Sequence, residues 1–191
     1  MRTVVFDIET ANWMDEIGSG NPEDLTIALV GAHDSETGTY GSYLEHELPQ
    51  LWKILERTDI LVGYNSDHFD IPLLNKYYPG DLTRIKSIDL MQEVYRALGR
   101  RLKLDTLAEA TLGEKKSADG MQSLKWWRAG EVDKVREYCI KDVELTKRLF
   151  DYAVENQGLK YRDFLGIKEI KLDTSKWLVD DAKPMTFSMG F

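Results

Sequence analysis

A strand that carries acid constrains this chain more than any other feature. Thr3 to Ile8 is an apolar, β-branched run bounded by the polar residues after Thr10, the pattern of a short buried strand. Side chains alternate along a strand, so Asp7 and Glu9 point to the same face. Two carboxylates on one face of a buried strand are expensive unless a cation or hydrogen-bond donors compensate them. The plain alternative is that they sit at the exposed end of the strand and merely end it.

Two later stretches add acids. Asp59 to Asn65 reads as another apolar strand, and Phe69-Asp-Ile-Pro-Leu-Leu74 runs into a helix whose first turn suits Pro72. Asp70 then stands at a strand-to-helix junction, where a carboxylate can be a plain N-cap, and Asp67 competes with it for either role. Asn65 fits a strand-end turn, although its amide can also bond a sugar or phosphate oxygen. The third stretch lies in a long helical pattern, Glu131 to Asn156, with Val135, Tyr138, Cys139, Val143, Leu145, Leu149 and Tyr152 on an apolar side. Tyr138 and Asp142 are four apart and share a helix face. They read either as a tyrosine that holds water above a metal-binding aspartate, or as a core tyrosine beside a solvent-facing acid.

In order and type, Phe6-Asp-Ile-Glu-Thr10, Asn65-x-x-x-Phe69-Asp70 and Tyr138-x-x-x-Asp142 resemble the motifs of DnaQ-like exonucleases of the tyrosine-bearing DEDD class. The resemblance is to family B DNA polymerase proofreading domains and their stand-alone bacterial relatives, and it covers Arg2 to Tyr152. The stand-alone branch is favoured by Leu102-Lys-Leu-Asp-Thr-Leu-Ala, Thr111-Leu-Gly-Glu-Lys-Lys and Trp126-Trp127, which look like the segment those proteins carry between the second and third motifs. A histidine-type site does not fit, because His33, His46 and His68 all precede the third motif and none takes the place of Tyr138.

The resemblance implies a 3′-5′ exonuclease that releases 5′-nucleotides from the 3′ end of single-stranded DNA. Asp7, Glu9 and Asp142 would hold one Mg2+ or Mn2+; Asp7 and, through water, Asp70 would hold a second. Oxygen-only ligands suit these hard ions rather than zinc. Tyr138, with Glu9, would orient the attacking water. Asn65, Phe69 and Thr10 are the candidate substrate contacts, with Phe69 equally well explained by core packing. A 3′-5′ exoribonuclease with the same site is one alternative, and a catalytically inactive nucleic-acid-binding or scaffold protein is another. With all four acids and the tyrosine present, a decayed site is the least economical of the three.

Charge bears on the substrate. The net charge is −8, but residues 1–50 hold ten acids against Arg2 alone, a local −9, so the remainder is near neutral. Between Arg100 and Arg128 seven basic residues face four acidic ones, and Trp126 and Trp127 fall among them. That mixture suits a strand-binding surface, or else a solvated helix pair with the tryptophans packed beneath. The one cysteine, Cys139, allows no internal disulfide and reads as a small packing residue, so a reducing cytoplasm is the expected setting. No apolar run reaches membrane-spanning length, and the start of the chain has an acid where a secretion signal would still be apolar. A helicase or polymerase partner, if present, would be a separate chain.

The order of patterns predicts an α/β domain with the mixed sheet of the ribonuclease H-like fold flanked by helices. Strands are expected at 3–8, 25–33, 38–44, 59–64 and 84–88, and helices at 47–57, 72–78, 89–98, 105–112 and 131–156, with Gly113 stopping the fourth. Glu114 to Gly120 reads as a polar loop. One domain is expected over 1–177, with a terminal hairpin at about 158–172. The tail, 178–191, reads as a docking segment or a frayed terminus.

Overall fold

The acid-bearing strand forms at the centre of a five-stranded sheet in the computed structural model, which describes residues 1–114 and 120–179. This strand, β1 (Thr3–Thr10), pairs antiparallel with β2 (Ile27–Asp34), and β2 pairs antiparallel with β3 (Thr39–Leu44). On its other side β1 runs parallel to β4 (Ile60–Gly63), which runs parallel to β5 (Lys86–Asp89). The order is β3-β2-β1-β4-β5, the mixed sheet expected of a ribonuclease H-like fold.

Strand alternation divides the core into two layers. Val4, Phe6 and Ile8 pack with Leu61 against helices α2 (Leu48–Leu55) and α3 (Asp70–Tyr77). Val5 faces the other way, with Ile60, Val62 and the apolar faces of α4 (Leu90–Leu98), α5 (Leu104–Leu112) and α7 (Val132–Asn156). Each such fully buried Leu, Ile or Val contributes about 1.5–3 kcal/mol. Asp7 and Glu9 follow the parity of Val5, which aims them at the α7 layer.

Two short helices are additions to the expected order: α1 (Met14–Ile17), and α6 (Gly120–Arg128), which packs against α7. Helix α3 begins two residues ahead of the expected start, at Asp70, so Pro72 sits inside its first turn. Helix α4 begins after Asp89, whose carboxylate accepts from the Met91 and Gln92 amides. Gly113 closes α5 in the left-handed region, φ 74°, as expected of a C-cap.

The hairpin is present as β6 (Gly158–Asp163) and β7 (Gly166–Lys171). Thr111 Oγ1 fastens it to α5, donating to the Lys160 carbonyl at 3.1 Å and accepting the Lys160 amide at 2.9 Å. Beyond the hairpin, Trp177 stacks on Phe150 of α7 with centroids 5.6 Å apart. Most of the expected loop at 114–120 and of the tail at 178–191 lies outside the described residues, as do Lys115, Lys116 and Asp119. No helix among the described residues is long and apolar enough to cross a membrane.

Candidate active site

The site is built on a glycine. Gly31 of β2 lies opposite Asp7 of β1, and a Cβ at Gly31 would stand 2.8 Å from Cys139 Sγ and 3.2 Å from Val143 Cγ2. Without that carbon, α7 settles directly onto the two strands. Cys139 then brings its thiol to 3.5 Å from the Asp7 carbonyl and 3.7 Å from Asp7 Oδ2. Ligand atoms from Asp7, Glu9 and Cys139 all fall within 4.8 Å of one another. Burial, followed by the charges of Asp7, Glu9 and Asp142, pushes the Cys139 thiol up, so it stays protonated beside the acids.

The same seating of α7 delivers Tyr138 and Asp142, both buried. The Tyr138 phenol donates to the Asp142 carboxylate. Burial raises its pKa, and the charges of Asp142, Glu9 and Asp7 raise it further. The phenol is therefore a permanent hydrogen-bond donor at neutral pH. Trp126 of α6 lies edge-on to the Tyr138 ring, centroids 6.1 Å apart at 65°. Trp126 and Trp127 both pack against the cluster of Leu29, Val135 and Cys139. Both tryptophans are half-buried, and Trp126 supports the tyrosine, so the packing role that their sequence context allowed is present.

Asp70 arrives from the opposite direction. As the first residue of α3 it does not act as a side-chain cap; Phe69 holds the cap position, and Asp70 Oδ1 accepts the Ile8 amide at 3.1 Å. Burial, then Asp7, then Asp89 hold its carboxyl well above the ordinary carboxylate range. Asp67 does not compete for this place: it is exposed and its carboxylate accepts from Ser87 Oγ at 2.5 Å. His68 is likewise exposed.

The three candidate substrate contacts differ in availability. Phe69 is half-buried and packs against the layer of Ile71 and Leu74. Thr10 donates its hydroxyl to the Asn12 carbonyl at 2.9 Å. Asn65 sits at φ 64°, in the left-handed region that asparagine tolerates, and its buried Oδ1 has no hydrogen-bond partner among the described residues. Asp89 holds this strained residue in place by accepting its amide at 2.8 Å, along with the Asp67 amide at 3.2 Å. Asp89 was legible in sequence only as the start of a helix, because its hold on Asn65 depends on β5 lying beside β4.

A divalent cation fits this donor set. Asp7 and Glu9 offer carboxylate oxygens within 4.8 Å of one another, the buried Asp70 and Asp142 carry charges that reach the same group of side chains, and burial beside Asp7 holds the Asp70 carboxyl well above its ordinary range.

A sequence family, RNase_H_2 of the RNase_H superfamily, matches residues 4–154, a span that includes all three motifs. The chain belongs to the RNase H superfamily. Membership supports a nuclease, and hence a nucleic-acid substrate. Among solved structures, the family B DNA polymerase from the hyperthermophilic archaeon Pyrobaculum calidifontis shares the fold, with a TM-score of 0.62 and 20% identity. The match covers 81% of this chain but 24% of that polymerase, so the chain spans about a quarter of its length. No curated protein matches the chain.

Proposed function

We propose that this RNase H superfamily member is a 3′-5′ exonuclease that releases 5′-nucleotides from single-stranded DNA with two divalent ions, Mg2+ or Mn2+. The observation that carries the reading is the seating of α7 on β1: Cys139, the residue after Tyr138, brings its thiol to 3.7 Å from Asp7 Oδ2, and ligand atoms of Asp7, Glu9 and Cys139 lie within 4.8 Å of one another. This is the arrangement that the motif order implies.

Asp7, Glu9 and Asp142 would hold one ion; Asp7 and, through water, Asp70 the other. When bound, such ions supply the positive charge that activates water and offsets charge on the attacking and leaving oxygens of a phosphodiester. The protein's own groups do the positioning. Tyr138 keeps its proton; in the loaded site that proton would turn from Asp142 to the water and Glu9 would accept from the same water, which would fix the direction of attack. Asp70, tied to the Ile8 amide, keeps the start of α3 against β1. Asn65 Oδ1 is an acceptor suited to a sugar hydroxyl or a base amino group. The exposed part of the Phe69 ring and the Thr10 hydroxyl complete the contacts to the terminal nucleotide.

End-labelled single-stranded DNA and RNA of equal sequence, incubated with Mg2+, Mn2+ or EDTA, test the proposal. A ladder shortening from the 3′ end of DNA with either ion, and none with EDTA, is the expected outcome. A tenfold or greater preference for RNA would make the protein an exoribonuclease. Binding without cleavage under every ion would make it a scaffold.

A further inference from the structure

A cleft of about 430 Å³, of which the reading above uses only Asn65, opens one turn before Asp70, where the Asn65 carbonyl accepts the Phe69 amide at 3.0 Å. It opens between Tyr64 and Asn65 after β4, Met91 of α4, the 101–105 segment leading into α5, and Gly120 at the start of α6. The Tyr64 hydroxyl clamps the far wall by donating to the Leu102 carbonyl at 2.7 Å. The near wall is Asn65, held by Asp89, whose charge is felt by Asp70.

Two of the lining residues, Arg101 and Lys103, are cations exposed to solvent, and neither has an ion-pair partner among the described residues. That sets them apart from Arg2, Arg128, Arg136, Lys141 and Arg148, each of which is paired with an acid. Arg100 is also engaged, over the Tyr161 ring at 5.1 Å. Asp105 shares the lining, so the cleft presents two positive charges and one negative on a molecule of net −8. The neighbouring hollow around Phe164, lined by Asp105, Glu109, Asp163 and Arg162, has the opposite balance and is no place for a polyanion.

We infer that this cleft binds a backbone phosphate of the substrate strand on the 5′ side of the bond that is cut. The inference rests on the exonuclease reading. The terminal nucleotide brings only the scissile phosphate, which the carboxylate site claims, so a second phosphate must belong to the preceding nucleotides. Arg101 and Lys103 receive it, and Asn65 stands between the two positions.

The test compares a dinucleotide that has one phosphodiester, the same dinucleotide with a 5′-phosphate, and a hexathymidylate. Substrates are given to the wild type, to Arg101→Gln/Lys103→Gln, and to Lys53→Gln as an exposed control on α2. For the wild type, the 5′-phosphate should lower KM by about tenfold, the scale of one charge-assisted hydrogen bond. The double variant should lose that gain, keep kcat on the plain dinucleotide, and bind hexathymidylate with a salt slope shallower by about 0.7 per lost contact. Retention of the phosphate-dependent gain would overturn the inference. So would variants that weaken inhibition by free thymidine 5′-monophosphate as much as they weaken the oligonucleotides, since the cleft would then hold released product. If no protein cleaves, yet hexathymidylate binding still depends on Arg101 and Lys103, the exonuclease reading fails and with it the placement of the cleft relative to a cut bond, leaving the cleft as a strand-phosphate site alone. Absence of both cleavage and that dependence refutes the two together.

Discussion

Gly31→Ala probes how the site is assembled. The added methyl would begin 2.8 Å from Cys139 Sγ and 3.2 Å from Val143 Cγ2, whereas carbon contacts are relaxed at about 3.5–4.0 Å. Cys139 cannot simply turn aside, because its thiol is already lodged against the Asp7 backbone and carboxylate and its own carbonyl carbon lies 3.5 Å from the new atom. Overpacking of this kind costs about 1–3 kcal/mol, and a stiffer unfolded chain returns about 0.4–1 kcal/mol. A net loss of about 1–2 kcal/mol should appear in urea unfolding. The effect on turnover should be larger, because α7 carries Tyr138 and Asp142: a displacement approaching 1 Å costs about 100-fold. Cys139→Ala alone should destabilise by about 1 kcal/mol through the small cavity it leaves. In the double variant the new methyl occupies space vacated by sulfur, so the two losses should fall short of their sum by about 1 kcal/mol, with part of the turnover recovered. Strictly additive losses would refute the close seating of α7 on β2 as the determinant of the site.

Asp7→Asn and Asp142→Asn should each reduce turnover at least about 100-fold, while metal-free stability holds or rises as repelling charge is removed; nuclease assays and thermal melts check the pair. Tyr138→Phe should lose less, about tenfold, and a loss equal to that of Asp142→Asn would mean that the hydroxyl has another role. The folded protein holds the Asp70 proton to a pH well above the ordinary value near 3.8, so between those two pH values the native state binds more protons than the unfolded chain. The stability this gives is fully present below the ordinary value and is lost as pH rises through the raised one. In EDTA, urea midpoints should therefore fall with rising pH across that window, and Asp70→Asn should flatten the trend. Mg2+ or Mn2+ at a hundred times its dissociation constant should add about 2.7 kcal/mol of stability, a shift that calorimetry would show to be missing in Asp7→Asn.

The elements legible in the sequence are those whose signal is local. Period-two alternation placed Asp7 and Glu9 on one face of β1, the 3.6-residue pattern laid out α7, and Gly113 marked the end of α5. The convergence of the four acids could be read only from motif order, because Cys139 and Asp7 are 132 residues apart in the chain. Other features depended on packing between elements. Nothing local marks Gly31 as the seat of α7, and the partner of Asp70 is a backbone amide on another strand, which no cap rule anticipates. Basic residues around Trp126 and Trp127 suggested a strand-binding surface or a packed helix pair, and the structure leaves both rings half-buried against the cluster of Leu29, Val135 and Cys139.

The split of the site between β1 and α7 also governs when the protein becomes hazardous. A ribosome that has translated as far as residue 131 has released the strand bearing Asp7 and Glu9 and the helix bearing Asp70, but neither Tyr138 nor Asp142. Such an unfinished chain lacks two of the five residues that the proposed cleavage needs. On the proposed chemistry, destructive capacity arrives only when α7 closes over β1.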